Sequence, residues 1–205
     1  MNLQKSINHL KKDKHFAPLI KKYGIPDLEG RGRQYFRALA RMIIYQQLSG
    51  KAAGTILKRF VGLFDNNGRF PTPEQVSKMP MAKLRSAGVS KQKASYLKDL
   101  ASKFLDGTIN QKTLHTLTND EVTEHLVRVK GIGTWTTHMF MMFTLNRPNV
   151  LPTGDFGVRK GFQKVYGLRT MPTHERMERE AKPWREHATA ASWYFWQVAD
   201  DESDI

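Results

Sequence analysis

The 205-residue chain contains no cysteine, which excludes disulfides, thiolate zinc sites and iron–sulfur clusters. Long apolar runs are missing as well, and none approaches the ~20 residues that span a bilayer. The opening stretch MNLQKSINHLKKDKHF lacks the apolar core of a signal peptide. The expected setting is soluble and intracellular, with no membrane partner. No segment alternates apolar and polar residues for long enough to argue for a sheet. Neither an internal repeat nor a low-complexity linker interrupts the chain, and its seven histidines show no metal-ligand spacing.

Negative charge is scarce, but unevenly so. Residues 1–60 carry 13 Lys/Arg against 3 Asp/Glu, residues 61–130 carry 11 against 7, and residues 131–205 carry 9 against 9. A basic flank beside a neutral half fits a polyanion approached from one side, with nucleic acid as the leading candidate. A solvated basic surface is the alternative.

The residues that are present read as helices throughout. Residues 1–23 place Leu3, Ile7, Leu10, Phe16, Leu19 and Ile20 at helical spacing, and Gly24, Pro26, Gly30 and Gly32 mark a loop. The apolar run from Tyr35 to Gln46 predicts a buried helix, which Gln47-Leu48-Ser49-Gly50 interrupts. Ser49 can cap the next helix, Lys51 to Phe64. Thr72-Pro73-Glu74-Gln75 and Thr118-Asn119-Asp120-Glu121 are capping boxes. Ser90 opens an amphipathic helix that predicts Tyr96, Leu97, Leu100, Phe104 and Leu105 inward and Lys91, Lys93 and Lys98 outward. The expected fold is all-α, with about ten short helices.

Two features carry possible chemistry. The helix predicted from Thr118 to Lys130 meets Gly131-Ile132-Gly133, and Thr134 is placed to cap the next helix. Glycines there permit positive φ and close backbone approach. Ile132 between them would anchor the turn from beneath. The free N–H groups and dipole of the second helix could grip a phosphate without reading bases. A ligand-free packing unit fits the same residues. Asp155 follows Pro152-Thr153-Gly154 and precedes Phe156. It reads first as a helix N-cap, with a rigidly held carboxylate suited to catalysis as the second reading.

The segment VKGIGTWTTHM…LPTGDFGVRKG resembles the helix-hairpin-helix DNA glycosylases, specifically their alkyladenine (3-methyladenine) branch of the yeast type. RMIIYQQLSGKAAGTILKRF, GVSKQKASYLKDLASKFLDG and KPWREHATAASWYFW agree with it in order, so the likeness spans nearly the whole chain. It implies one catalytic module, residues 1–205, of two helical subdomains flanking an active-site cleft. The central one would cover 36–145 with the hairpin at 127–135, and the other 1–35 plus 146–205.

By this resemblance Asp155 is the catalytic aspartate, and Gly131, Ile132, Gly133 and Thr134, with Lys160, bind DNA phosphate. Arg159 would join Lys160 there. Gln47, Leu48 and Ser49 would fill the gap left by a flipped base, with Ser49 smaller than the wedge many relatives carry. Trp135, Phe143 and Trp193 would line the base pocket. The main-chain carbonyls of Val127, Val129 and Ile132 would hold a structural monovalent cation, and the chemistry itself would need no cofactor. Trp135 stands where bifunctional relatives carry a Schiff-base lysine, which implies hydrolysis without a β-lyase step.

The resemblance thus implies a monomeric, monofunctional glycosylase acting on alkylated purines such as 3-methyladenine and 7-methylguanine in double-stranded DNA. Its place would be the nucleus, with the bacterial cytoplasm as alternative. A catalytically silent protein that binds damaged or bent DNA, and a glycosylase for deaminated or oxidised bases, are the competing readings.

Overall fold

The computed structural model describes residues 1–28, 32 and 34–201; Gly30 of the expected loop lies outside them. Among the described residues there are twelve α-helices, one 3₁₀ segment and no strand. The all-α expectation therefore holds, with the chain cut into somewhat more and shorter helices. The chain forms two compact units, Met1–Gly30 with Met141–Ile205, and Arg31–Phe140.

The first unit contains α1 (Leu3–Leu10) and α2 (Phe16–Tyr23) from the N-terminus. From the C-terminal part it adds α10 (Phe156–Val165), α11 (His174–Ala181), the 3₁₀ segment Lys182–His187 and α12 (Ala188–Asp200). Ile7, Leu10, Phe16 and Ile20, four of the apolar residues at helical spacing, enter its core beside Phe162, Trp184, Tyr194 and Phe195. Phe16 lies edge-on to Trp184, with ring centroids 5.4 Å apart.

Helices α10 and α12 pack backbone to backbone. A Cβ added at Gly161 would lie 1.8 Å from the Phe195 carbonyl oxygen, so only glycine fits. The buried Tyr194 hydroxyl donates to the Gly24 carbonyl at 2.8 Å, tying α12 to the end of α2.

The second unit contains α3 (Tyr35–Tyr45), α4 (Gly50–Gly62), α5 (Pro73–Lys78), α6 (Met81–Ser86), α7 (Lys91–Leu105) and α8 (Asn119–Leu126). Helix α9 (Thr134–Phe143) begins here. Ser49, Ser90 and the two capping boxes start α4, α7, α5 and α8 as their sequences require. Leu39, Ile43, Phe60, Leu97, Leu100, Val122 and Phe140 are fully buried.

Three local expectations need correction. Helix α8 stops at Leu126 and leaves Val127–Lys130 as turn, because the chain must already bend towards the glycines. Leu105 ends α7 and is exposed. Lys93 and Lys98 fold back: the ammonium of Lys93 donates to the carbonyls of Ile44 and Gln46 at 2.8 and 2.6 Å, and that of Lys98 to Ser77 at 2.5 Å. Carbonyls left over at helix ends attract such cations.

One buried polar pair in the first unit makes folding sensitive to pH. The Ser6 hydroxyl and His187 Nδ1 lie 3.0 Å apart, and the His9 ring sits 4.5 Å from that of His187. Burial, then the charges of His9 and Lys5, push the His187 imidazole below its ordinary value, with Glu186 opposing. A depressed imidazole is neutral in the folded chain while the unfolded chain still takes up protons. Stability should be full above the unfolded value of about 6.5 and fall as pH drops below it. Thermal unfolding from pH 7.5 to 5.5 should show this loss, and His187→Gln should flatten it; parallel curves for the two proteins would remove His187 as the cause.

Candidate functional site

In the second unit the hairpin is built around a glycine that has no substitute. Gly131 has φ of +80°, and an added Cβ would lie 2.1 Å from Cδ2 of Tyr96. Gly133 differs: its φ is unexceptional and a Cβ there would meet nothing within 4 Å. Thus only the first glycine is needed for backbone conformation, while the second leaves bare main chain facing open space. Ile132 is buried beneath the turn, as an anchor should be, and its N–H donates to the Val129 carbonyl at 3.0 Å. Thr134 is the first helical residue of α9 instead of its cap, since the Gly133 carbonyl already accepts the Thr137 N–H at 3.0 Å.

The hairpin is tethered to the glutamine turn. Gln46 Nε2 donates to the Gly131 carbonyl at 2.8 Å, while the Gln46 carbonyl accepts from the Lys93 ammonium at 2.6 Å. Burial holds that ammonium below the usual lysine range. Gln47, the next residue, has φ of +56°, which non-glycine residues adopt at a cost.

Gln47, Leu48 and Ser49 are all accessible to solvent, and Leu48 is an exposed large apolar side chain. The Ser49 hydroxyl accepts the Ala52 N–H at 3.4 Å and so is used as a helix cap. A cavity of about 580 Å³ in this unit is lined by Tyr45, Gln46, Gln47, Lys93, Gly131 and Trp135, among others. Trp135 is 51% exposed. The structure therefore gathers residues singled out from the glutamine turn and from the hairpin around one hollow.

In the first unit, Asp155 caps α10. Its Oδ1 accepts the Val158 N–H at 2.8 Å, and the same oxygen accepts the indole N–H of Trp196 at 2.8 Å. Phe143 stacks on Trp196 with centroids 6.1 Å apart and planes 23° apart. Phe156, beside Asp155, is 70% exposed. Trp193 instead lies edge-on to Tyr194 and packs against the unit's core.

Lys160 is half-buried on α10. Arg159 spends one guanidinium nitrogen on the Pro172 carbonyl at 2.9 Å, and its Nε is buried with no partner among the described residues. The sequence assigns no site role to Trp196, Gln46, Lys93, Tyr96 or Gly157. The only signal for Trp196 was its place one helical turn beyond Trp193 in WYFW, which does not say which indole meets the carboxylate.

The model of the HhH-GPD superfamily base excision DNA repair proteins matches residues 40–186. The chain belongs to the HhH-GPD superfamily. Among its relatives is DNA-3-methyladenine glycosylase 1 of Schizosaccharomyces pombe, 34% identical over 190 residues, 91% of this chain and 83% of that protein. The solved structure of the S. pombe 3-methyladenine DNA glycosylase in complex with abasic DNA superposes with a TM-score of 0.81 at 33% identity, covering 97% of this chain and 98% of that one. A DNA-3-methyladenine glycosidase from Bacillus halodurans gives 0.84 at 31% identity, covering 100% and 92%. The matched residues include α8, the Gly131-Ile132-Gly133 turn and α9.

Replacing Gly131 by Ala combines a positive φ with a clash against the Tyr96 ring, together about 2–4 kcal/mol of stability. Denaturant unfolding should show a loss of that size, whereas Gly133→Ala should lose less than about 1 kcal/mol. Equal losses at the two glycines would contradict the division of roles between them.

Proposed function

We propose that this HhH-GPD protein is a monofunctional DNA glycosylase that removes alkylated purines, such as 3-methyladenine and 7-methylguanine, and leaves an abasic site. The observation that carries the reading is Asp155, held by two N–H donors on one oxygen, in a chain whose relatives are named 3-methyladenine glycosylases.

A base stacked in a duplex is out of reach, so the nucleotide must leave the helix and something must fill its place. We assign that filling to Gln47 and Leu48, exposed on a turn whose strained backbone keeps it prominent, with Ser49 closing it as the cap of α4. The bare N–H groups at Gly133 and Thr134, with Gly131 and Ile132 shaping the turn, take a backbone phosphate in the manner of a helix N-terminus. Lys160 supplies a further charge for phosphate.

An alkylated purine is cationic and attracts electron-rich rings, a contact worth ~1–2 kcal/mol when desolvated. Trp135, with half its surface exposed, Phe143 and Trp193 are the proposed partners. The positive charge makes the base a good leaving group. As the C1′–N bond breaks, charge builds on the sugar, and water completes the hydrolysis at C1′. Asp155, fixed in orientation, stabilises that charge electrostatically. An indole at Trp135 forms no Schiff base, which supports hydrolysis alone.

No cofactor is needed for this chemistry. The three carbonyls of Val127, Val129 and Ile132 would suit a hard monovalent cation, since they are neutral oxygen donors. One lone pair of the Val129 carbonyl is already taken by the Ile132 N–H. The cation would stiffen the turn that presents N–H groups to phosphate. The nucleus is the proposed compartment, with the bacterial cytoplasm as alternative.

Asp155→Asn should lower base release from methylated DNA by about 10²–10³-fold while DNA binding survives, read by mass analysis of freed bases. Undiminished turnover in the variant would overturn the role of Asp155. Wild-type protein that binds such DNA but frees no base would instead be a silent damage binder. DNA affinity should fall steeply with salt as counterions are released, and at fixed ionic strength it should fall when tetramethylammonium replaces potassium. A flat salt response would contradict the phosphate contacts, and indifference to the cation would remove it from the hairpin.

A further inference from the structure

Three observations converge on Trp196. Its indole N–H donates to Asp155 Oδ1 at 2.8 Å. Its ring is backed by Phe143, near parallel at 6.1 Å. And α10 carries glycine at a position where a side chain would push the indole away: a Cβ at Gly157 would lie 2.8 Å from Trp196 Cδ1 and 3.3 Å from Asp155 Oδ1. A helix ordinarily disfavours glycine by roughly 1 kcal/mol, so its presence in the first turn of α10 calls for a packing reason, and the indole supplies it.

We propose that Trp196 is the positioning residue of the site, acting through Asp155. The Val158 amide restrains the capping carboxylate from the helix side. A second donor at the same oxygen, mounted on a ring that stacks on Phe143 and lies close to Gly157, fixes the carboxylate plane. Electrostatic catalysis depends on such fixed charge, because a carboxylate that must reorient as the sugar becomes cationic loses much of its benefit. Phe143 then serves twice, holding the indole as well as facing the base. The inference rests on the glycosylase reading for its kinetic consequence, but the hydrogen bond stands apart from it.

Two variants and one spectrum test it. Trp196→Phe keeps a ring against Phe143 and removes the N–H; Gly157→Ala keeps the indole and displaces it. Each should lower single-turnover base release by about 10–100-fold, the range for a hydrogen bond to a charged group, with affinity for uncleavable DNA within about twofold of wild type. In the ¹H–¹⁵N spectrum the indole resonance that disappears in Trp196→Phe should move upfield in Asp155→Ala.

Turnover of Trp196→Phe within about twofold of wild type, or an indole resonance unmoved in Asp155→Ala, would overturn the proposal. Should Trp196→Phe not fold, Gly157→Ala carries the kinetic test. Wild-type protein that frees no base from methylated DNA would defeat the glycosylase reading, while the spectrum would still report whether the indole is bound to Asp155.

Discussion

The hydrogen bond from the Val158 amide to Asp155 Oδ1 is worth about 1 kcal/mol as a helix cap, and its larger consequence is orientational. A cap residue has its backbone dictated by the helix it starts, so the carboxylate arrives at a fixed point and angle. Asp155 has φ of −77° and ψ of 127°, the extended geometry a capping side chain requires. The cap and the proposed catalytic role are therefore compatible, because capping supplies the rigidity that a catalytic charge needs. The neighbouring features of this unit follow from it: the glycine at 157, the indole above it and the phenylalanine behind the indole.

The second unit meets a different requirement of the proposed function, which is to present main chain. N–H groups can grip a phosphate only if no side chain screens them and the turn does not collapse. Tyr96 fills the underside where Gly131 has no Cβ, and Ile132 is buried below. The Gln46 amide then holds the Gly131 carbonyl from the side. Gln46 in turn is held by the Lys93 ammonium, which also takes the Ile44 carbonyl. The glutamine turn and the hairpin thus share one hydrogen-bonded frame, and the strained Gln47 backbone sits directly beside its fixed end.

Much of this was legible in the sequence because the signals were local. Ser49, Thr72, Ser90 and Thr118 announce helix starts through their own side chains, and the structure uses each of them as a cap. The hairpin and Asp155 stood out by residue type and spacing. What escaped was long-range. Trp193 and Trp196 are both aromatic and one turn apart on α12, and only the approach of α10 decides which reaches the carboxylate. Lys93 looked like a solvated lysine because a helical wheel cannot show that two carbonyls from α3 and its end lie within reach. Gly131 and Gly133 looked equivalent, and only the position of the Tyr96 ring separates them.

The contact at Gly161 has a consequence for how such a site can vary. Side-chain contacts have some give: a methyl lost or gained is met by partial relaxation around it, at a cost in stability. Where two helices meet main chain to main chain, as α10 meets the Phe195 carbonyl, there is no compressible layer between them. The span from the start of α10 to Trp196 is therefore set by a hard stop, like the shoulder on a machined shaft. Changes elsewhere in this unit's core can raise or lower its stability while the distance between carboxylate and indole keeps its value. Dimension and stability become separately adjustable.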